Sequence, residues 1–239
     1  MVDLEVGEGL AVITIDRPRA RNAIAPATMD ELDEALDAAA GARALVIRGG
    51  GDRAFVSGGD LKELASIRTE DAALAMAMRM RGICDRLAGF PGPVIAALNG
   101  HALGGGAEVA VAADIRVAAA DIKIGFTQST LAIMPAWGGA ERLAALVGRG
   151  RALLLAGAGT VLDAVEAERV GLVDRVLPRE SFETGWRSLA GSLATRSAQA
   201  VKHAVSGGAS AEEAARAFAR LWVADEHWEA AERVMNRGR

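Results

Sequence analysis

Two glycine loops, each running into a helical pattern, carry residues whose spacing could do chemistry. In Asn99-Gly100-His101-Ala102-Leu103-Gly104-Gly105-Gly106-Ala107-Glu108, three glycines open a helix with Glu108 in its first turn. The first N–H groups of a helix have no intrahelical partner, so Gly105 can offer a free donor with the positive end of the helix dipole behind it. In Ala54-Phe55-Val56-Ser57-Gly58-Gly59-Asp60-Leu61-Lys62-Glu63, Asp60 and Glu63 have the spacing of a helix cap with its acidic third position. The N–H of Gly59 then lies just outside a helix start, unpaired. Two donors aimed at one point suit a thioester carbonyl that becomes an enolate or another oxyanion, and losing one typically costs about 3 kcal/mol of barrier lowering. Glu108 lies three residues beyond Gly105, on the same helical side, where it can act as acid or base. The same residues also admit a structural reading, in which the glycines permit tight turns and Glu108 complements the helix dipole.

Other chemistries find little support. Gly49-Gly50-Gly51-Asp52-Arg53-Ala54 satisfies a short dinucleotide pattern, but Phe55-Val56-Ser57-Gly58-Gly59 cannot open the helix it requires, so a turn is expected. Neither a GxSxG elbow nor a Walker-type loop occurs. The three histidines, His101, His203 and His227, are too scattered for a zinc site, and no metal is expected. His101 has no carboxylate neighbour in sequence and is assigned no chemistry. The single Cys84 excludes an intrachain disulfide and fits a reducing, cytoplasmic setting. A net charge of −4 creates no basic field for nucleic acid or anionic lipid, and no apolar stretch is long enough to span a membrane.

The elements that must position these loops follow from periodicity. The 239 residues are 51% hydrophobic but only 4% aromatic, without tyrosine, so small aliphatic residues and the 28 glycines must fill a closely layered core. Val2 to Val6 and Leu10 to Ile15 read as a hairpin. Thr28 and Glu31 read as a capping box for a helix starting near Met29. Ala44 to Ile47, Pro93 to Leu98, Ile115 to Ala118, Ile122 to Ile124 and Val173 to Val176 read as strands. Met76, Met80, Ile83, Cys84 and Leu87 mark an amphipathic helix, where the methionines serve either as core filler or as an adaptable acyl pocket together with Met134. Strand, glycine turn and helix recur, which predicts an α/β fold. Beyond Leu177-Pro178 the pattern is helical, with Ser210 and Glu213 as a capping box and a stripe of Ala214, Ala217, Phe218, Leu221 and Trp222. That segment, which carries Trp186, Trp222 and Trp228, must pack on the core or on neighbouring subunits.

At the two glycine loops the sequence resembles the enoyl-CoA hydratase/isomerase family, the crotonase superfamily. The resemblance runs from Asp16-Arg17-Pro18 and Asn22-Ala23 through Ser57-Gly58-Gly59-Asp60, Asn99-Gly100, Gly104-Gly105-Gly106-Ala107-Glu108 and Pro135-Ala136-Trp137-Gly138-Gly139 to Gly171-Leu172-Val173. It implies a crotonase-like spiral of β-β-α units over residues 1–180 and a C-terminal helical trimerisation region over 181–239, assembled as homotrimer or homohexamer. It implies an acyl-CoA substrate, no other cofactor, an oxyanion hole from the N–H groups of Gly59 and Gly105, and Glu108 as the first catalytic glutamate. Ser57, Gly58, Asp60, Leu61, Lys62, Arg19, Arg21 and Trp137 fall where the family contacts its substrate.

Two departures from the family pattern matter. The second glutamate of the hydratases lies seven residues before the proline of their IPG segment, and counting back from Pro135 gives Gln128. An amide can orient water but cannot exchange a proton at neutral pH. Trp137 stands where many hydratases have a small residue, and the tail lacks the family's usual ending. Both features look more like the ethylmalonyl-CoA decarboxylase branch, although a buried tryptophan is also ordinary packing. Hydration or isomerisation is therefore the first expectation, decarboxylation of a methylmalonyl- or ethylmalonyl-type thioester the second, and a non-catalytic acyl-CoA-binding protein a third.

Overall fold

The chain is seen here as a computed structural model that describes residues 1–236. It opens with the hairpin β1 (Val2–Gly7) and β2 (Leu10–Ile15), antiparallel with Gly7 opposite Leu10. Helix α1 (Pro26–Ala38) follows and begins earlier than the expected start near Met29. Proline is preorganised for the first helical turn, so Pro26 opens the helix, and the Thr28 hydroxyl accepts the N–H of Ala25 from inside that turn.

Three β-β-α turns build the body. They are β3 (Ala44–Gly49), β4 (Ala54–Val56) and α2 (Glu70–Ala88); β5 (Val94–Leu98), β6 (His101–Leu103) and α3 (Gly105–Ala112); then β7 (Ile115–Ala119), β8 (Lys123–Gly125), a 3-10 turn over Thr127–Leu131, and the helices α4 (Gly139–Val147) and α5 (Arg149–Gly157). The strand β9 (Val161–Asp163), helix α6 (Ala164–Arg169) and strand β10 (Arg175–Leu177) close the spiral. Each turn sends its first strand to one sheet, ordered β1-β2-β3-β5-β7-β10, and its second to another, ordered β4-β6-β8-β9. Within the first sheet all pairs after the hairpin are parallel. Parallel strands covered on both faces need unbroken apolar runs, and Val94-Ile95-Ala96-Ala97-Leu98 is buried throughout.

Small residues let the layers close up. All eight residues of α3 are buried, including Glu108. A methyl group built on Gly106 would lie 1.8 Å from the backbone oxygen of Val56, so α3 packs directly on β4. Two buried asparagines brace the loop between β3 and β4. Asn22 donates to the carbonyls of Gly50 and Ala54, while Asn99 accepts from Gly49 N–H and donates to the Gly51 carbonyl. The loop itself reaches solvent at Gly51, Asp52 and Arg53, so these bonds anchor its buried ends without widening the core.

The rest of the chain is helical: α7 (Arg179–Leu193), α8 (Arg196–Val205), α9 (Ala211–Trp222) and α10 (Asp225–Asn236). Position 180 thus falls in the first turn of α7, which buries Phe182, Trp186 and Ala190. Lys202 of α8 is buried and donates to the Gly92 carbonyl at 3.0 Å while pairing with Asp114 at 2.7 Å. By contrast α9 and α10 have no buried residue, and Phe218, Trp222 and Trp228 stand partly in solvent. Among the described residues no helix is long and apolar enough to cross a membrane.

The contact between α3 and β4 can be tested against a control on α2. Gly106→Ala should lower the unfolding free energy by about 3 kcal/mol, the upper end of overpacking costs, because backbone cannot retreat as a side chain can. Gly82→Ala, whose methyl group meets nothing within 4 Å, should be neutral or slightly stabilising. Urea midpoints read both, and equal midpoints for the two variants would refute this packing.

Candidate active site

The loop after β4 is held by a short stretch of strand-like pairing. Ile24 N–H donates to the Gly58 carbonyl at 2.8 Å, and Asp60 N–H donates to the Ile24 carbonyl at 2.8 Å. Backbone direction alternates along an extended segment, so the N–H of Gly59, between these two contacts, faces away from Ile24. It has no backbone acceptor among the described residues. The helix expected after Asp60 does not form. Asp60 Oδ1 does accept from the N–H groups of Lys62 and Glu63, as a cap would, but residues 61–66 make only turns. Leu61, Lys62, Glu63, Ala65 and Ser66 are exposed, so no apolar face rewards a helix there. Asp60 is tied instead to Arg17 at 3.1 Å, and Arg17 also donates to the Ala23 carbonyl.

Gly105 opens α3, and its N–H likewise lacks a backbone acceptor among the described residues. The preceding Gly104, at φ +56°, turns the chain from β6 into the helix and donates to the Gly125 carbonyl at 2.8 Å. The two free donors belong to neighbouring loops. A methyl group on Gly58 would lie 3.4 Å from the Gly105 nitrogen, and the Trp137 ring reaches both Gly105 and Gly59.

Glu108 is buried one turn further along α3, at 2% exposure. Its Oε2 accepts from the backbone N–H of Trp137 at 2.7 Å and of Gly139 at 3.0 Å, and its Oε1 accepts from the side-chain amide of Gln128 at 2.7 Å. Burial pushes the Glu108 carboxyl above the ordinary carboxylate range, and the Gly139, Trp137 and Gln128 donors pull part of the way back. A carboxylate offers about four acceptor positions, so three donors leave one, on Oε1. The carbonyl oxygen of Gln128 is buried and has no partner among the described residues.

The sequence-derived candidates thus divide. Glu108, Gln128, Gly105 and Trp137 form one continuous contact set, and Gly59 joins it through the Trp137 ring. Gly58 is buried and Ser57 half-buried beside it, whereas Leu61, Lys62, Arg19 and Arg21 are exposed. Met80 is core and Met134 is exposed. His101 accepts from the Lys123 N–H, a contact between strands. The Cys84 thiol is pushed up to about 12 by burial, which leaves it inert. Among the described residues no group of three His, Cys, Asp or Glu side chains could hold a metal ion.

Sequence reasoning missed the residues that hold Glu108. They are backbone donors 29 and 31 residues away, on a loop that Arg142 secures by donating to the Trp137 carbonyl at 3.3 Å and to Asp85 at 2.5 Å. Gly139 carried the only available signal. A methyl group there would lie 2.3 Å from Glu108 Cγ, so glycine is what admits the carboxylate.

Comparison with known proteins gives a consistent result. A family model described as enoyl-CoA hydratase/isomerase matches residues 5–227. A crotonyl-CoA hydratase of Syntrophomonas wolfei is 37% identical over 202 residues, covering 83% of this chain and 77% of that protein. Among solved structures, an enoyl-CoA hydratase from Bacillus anthracis superposes with a TM-score of 0.90 at 30% identity, covering 99% of this chain and 96% of the other. One from Thermoplasma volcanium gives 0.85 at 32% identity, covering 97% and 96%.

The geometry around Glu108 predicts the sign of two titrations. Each of the three donors favours the ionised carboxylate, so Gln128→Leu should move the Glu108 carboxyl to still higher pH in a carbon-13 NMR titration. An unmoved or lowered value would show that the amide contributes nothing. Because the folded pKa lies above the ordinary 4.5, the folded chain holds this proton more tightly than the unfolded one. That stability is full below the unfolded pKa and is lost as pH rises through the folded one. The thermal midpoint of the wild type relative to Glu108→Gln should therefore fall as pH rises from below the ordinary 4.5 through the folded value.

Proposed function

The chain belongs to the enoyl-CoA hydratase/isomerase family and is an acyl-CoA-processing enzyme of it; on that premise we propose that it adds water to a 2-enoyl-CoA, with Glu108 as its single proton carrier. The observation that carries this reading is the pairing of Gln128 with Glu108. The amide nitrogen is spent on Glu108 Oε1, which leaves the buried amide oxygen without a partner among the described residues and one acceptor position open on Oε1. A water molecule donating to both oxygens would satisfy a buried acceptor that otherwise costs about 1–3 kcal/mol.

The chemistry follows from that placement. The thioester oxygen sits between the N–H groups of Gly59 and Gly105. Water attacks C3 while one of its protons passes to Glu108 Oε1, and the C2=C3 electrons move into an enolate held by the two donors. Glu108 then returns the proton to C2 and the thioester carbonyl re-forms, so one water is added. Burial supports this double duty, since a carboxyl held above its ordinary range gives a proton up less readily and takes one more readily. Gln128 positions, and does not exchange, a proton. Decarboxylation is the poorer fit, because a malonyl-type carboxylate would share a buried site with the Glu108 carboxyl.

The surroundings are assigned in the same spirit. Ser57, Gly58, Asp60, Leu61 and Lys62 line the entry, and Arg19, Arg21 and Lys62 face the CoA phosphates; no cofactor beyond CoA is required. The exposed stripe of Phe218, Trp222 and Trp228 on α9 and α10 packs against further copies of this chain in a homotrimer or homohexamer. The lone, buried Cys84 suits a cytoplasmic location.

Mass spectrometry of products separates the possible reactions. Crotonyl-CoA should gain one water. Loss of carbon dioxide from methylmalonyl- or ethylmalonyl-CoA without hydration would favour the decarboxylase instead, and saturable binding without turnover would leave only a binding protein. Glu108→Gln should lower turnover by about 10²–10⁴-fold while sparing CoA thioester binding. Gln128→Glu should raise the hydration rate, since it supplies a second proton-exchanging group.

A further inference from the structure

We propose that the Trp137 ring limits acyl-chain length at this site, so that the substrate is the CoA thioester of a short acyl group; this rests on the acyl-CoA reading above. Trp137 is a large side chain with only 7% of its surface exposed, and it meets both Glu108 and the glycine loop before α3. Its backbone N–H holds Glu108 Oε2 at 2.7 Å. A methyl group on Gly105 would lie 2.1 Å from ring carbon Cζ3 and 2.4 Å from Cη2, and one on Gly59 would lie 3.9 Å from Cζ2. The six-membered half of the indole therefore packs directly on Gly105, with Gly59 at its edge. Gly105 has no left-handed backbone angle that would demand glycine. It is the ring that demands it.

An acyl group whose carbonyl oxygen meets those two donors, and whose C2 and C3 pass Glu108, must run along this ring. Further carbons then meet a rigid indole. Leu64 also crowds Gly59, since its Cδ1 would be 2.9 Å from a methyl group there. The ring can be altered without disturbing the carboxylate, because the hydrogen bond to Glu108 comes from the Trp137 backbone and survives a change of side chain. Arg142 likewise holds the loop through the Trp137 carbonyl and not through the ring.

The test measures binding and turnover across chain length. Dissociation constants of butyryl-CoA and decanoyl-CoA, which lack the reacting double bond, are compared for the wild type and Trp137→Ala, with kcat/KM for crotonyl-CoA and 2-decenoyl-CoA beside them. The variant should shift the decanoyl-to-butyryl affinity ratio toward the longer chain by about tenfold or more. An equal change for both lengths, or no change, overturns the proposal. If the wild type binds these thioesters yet hydrates neither enoyl-CoA, the hydration reading fails, and the affinity ratio still decides the role of Trp137. Should Trp137→Ala fold poorly, Trp137→Leu carries the same comparison. Gly105→Ala adds a check on the contact itself: it should lower the thermal midpoint in the wild type and do so much less beside Trp137→Ala. Equal losses in both backgrounds would count against the ring contact.

Discussion

A carboxylate buried in a helix that has no exposed residue is the constraint from which the rest of this site follows. Glu108 lies in α3 among glycine, alanine and valine, where an ionised group without partners would be strongly disfavoured. Three donors reach it, and none comes from its own helix. The segment from Pro135 to Gly139 must therefore lie against α3, and the 3-10 turn must bring in Gln128. Arg142 and Asp85 fasten that segment from outside, linking α4 to α2. Two further pairs, Arg81 with Glu141 and with Asp85, lie along the same seam. These outer pairs are partly solvated and individually weak, so their value lies in fixing a loop whose N–H groups must point one way.

The glycines serve that closeness more than flexibility. Gly106 lets α3 rest on β4, Gly139 admits the Glu108 side chain, and Gly105 accepts the Trp137 ring. The β-β-α repeat supplies the frame, because each turn delivers a loop to the same region between its second strand and its helix. The first turn brings Gly59, the second Gly105 and Glu108, and the third Gln128 and Trp137. A core with few aromatic side chains suits layers this tightly stacked, since alanine and glycine leave the backbones close enough to donate across them.

Much of this was legible because it is local. The hairpin, the apolar strands, the amphipathic α2 and the three-residue step from Gly105 to Glu108 all lie within windows where period and spacing speak directly. Resemblance extended that to the pairing of Gly59 with Gly105 and to Gln128. Where two local signals competed, the choice between them failed. Pro26 opened α1 although Thr28 and Glu31 had the spacing of a capping box. Asp60 had the side-chain contacts of a cap, yet its other oxygen and its N–H were committed to Arg17 and Ile24, and no apolar face followed. The holders of Glu108 Oε2 were beyond reach for a different reason. Backbone donors carry no residue type, and their use depends on a fold that brings positions 29 and 31 residues apart into contact.

The exchange of a second carboxylate for Gln128 is consistent with this burial. Two carboxylates in so enclosed a place would raise each other's pKa, and at neutral pH one would tend to keep its proton. An amide avoids that repulsion, donates to Glu108 and still presents an oxygen. Under the proposed hydration it also leaves a single proton carrier, which makes the placement of that group decisive. The donors on Oε2 then do more than offset burial. By occupying that oxygen they leave Oε1, which Gln128 also reaches, as the oxygen with an acceptor position still open. Trp137 completes the logic. The residue that fixes Oε2 through its backbone also carries the ring that packs on Gly105, so the carboxylate and the glycine loop are held by one residue.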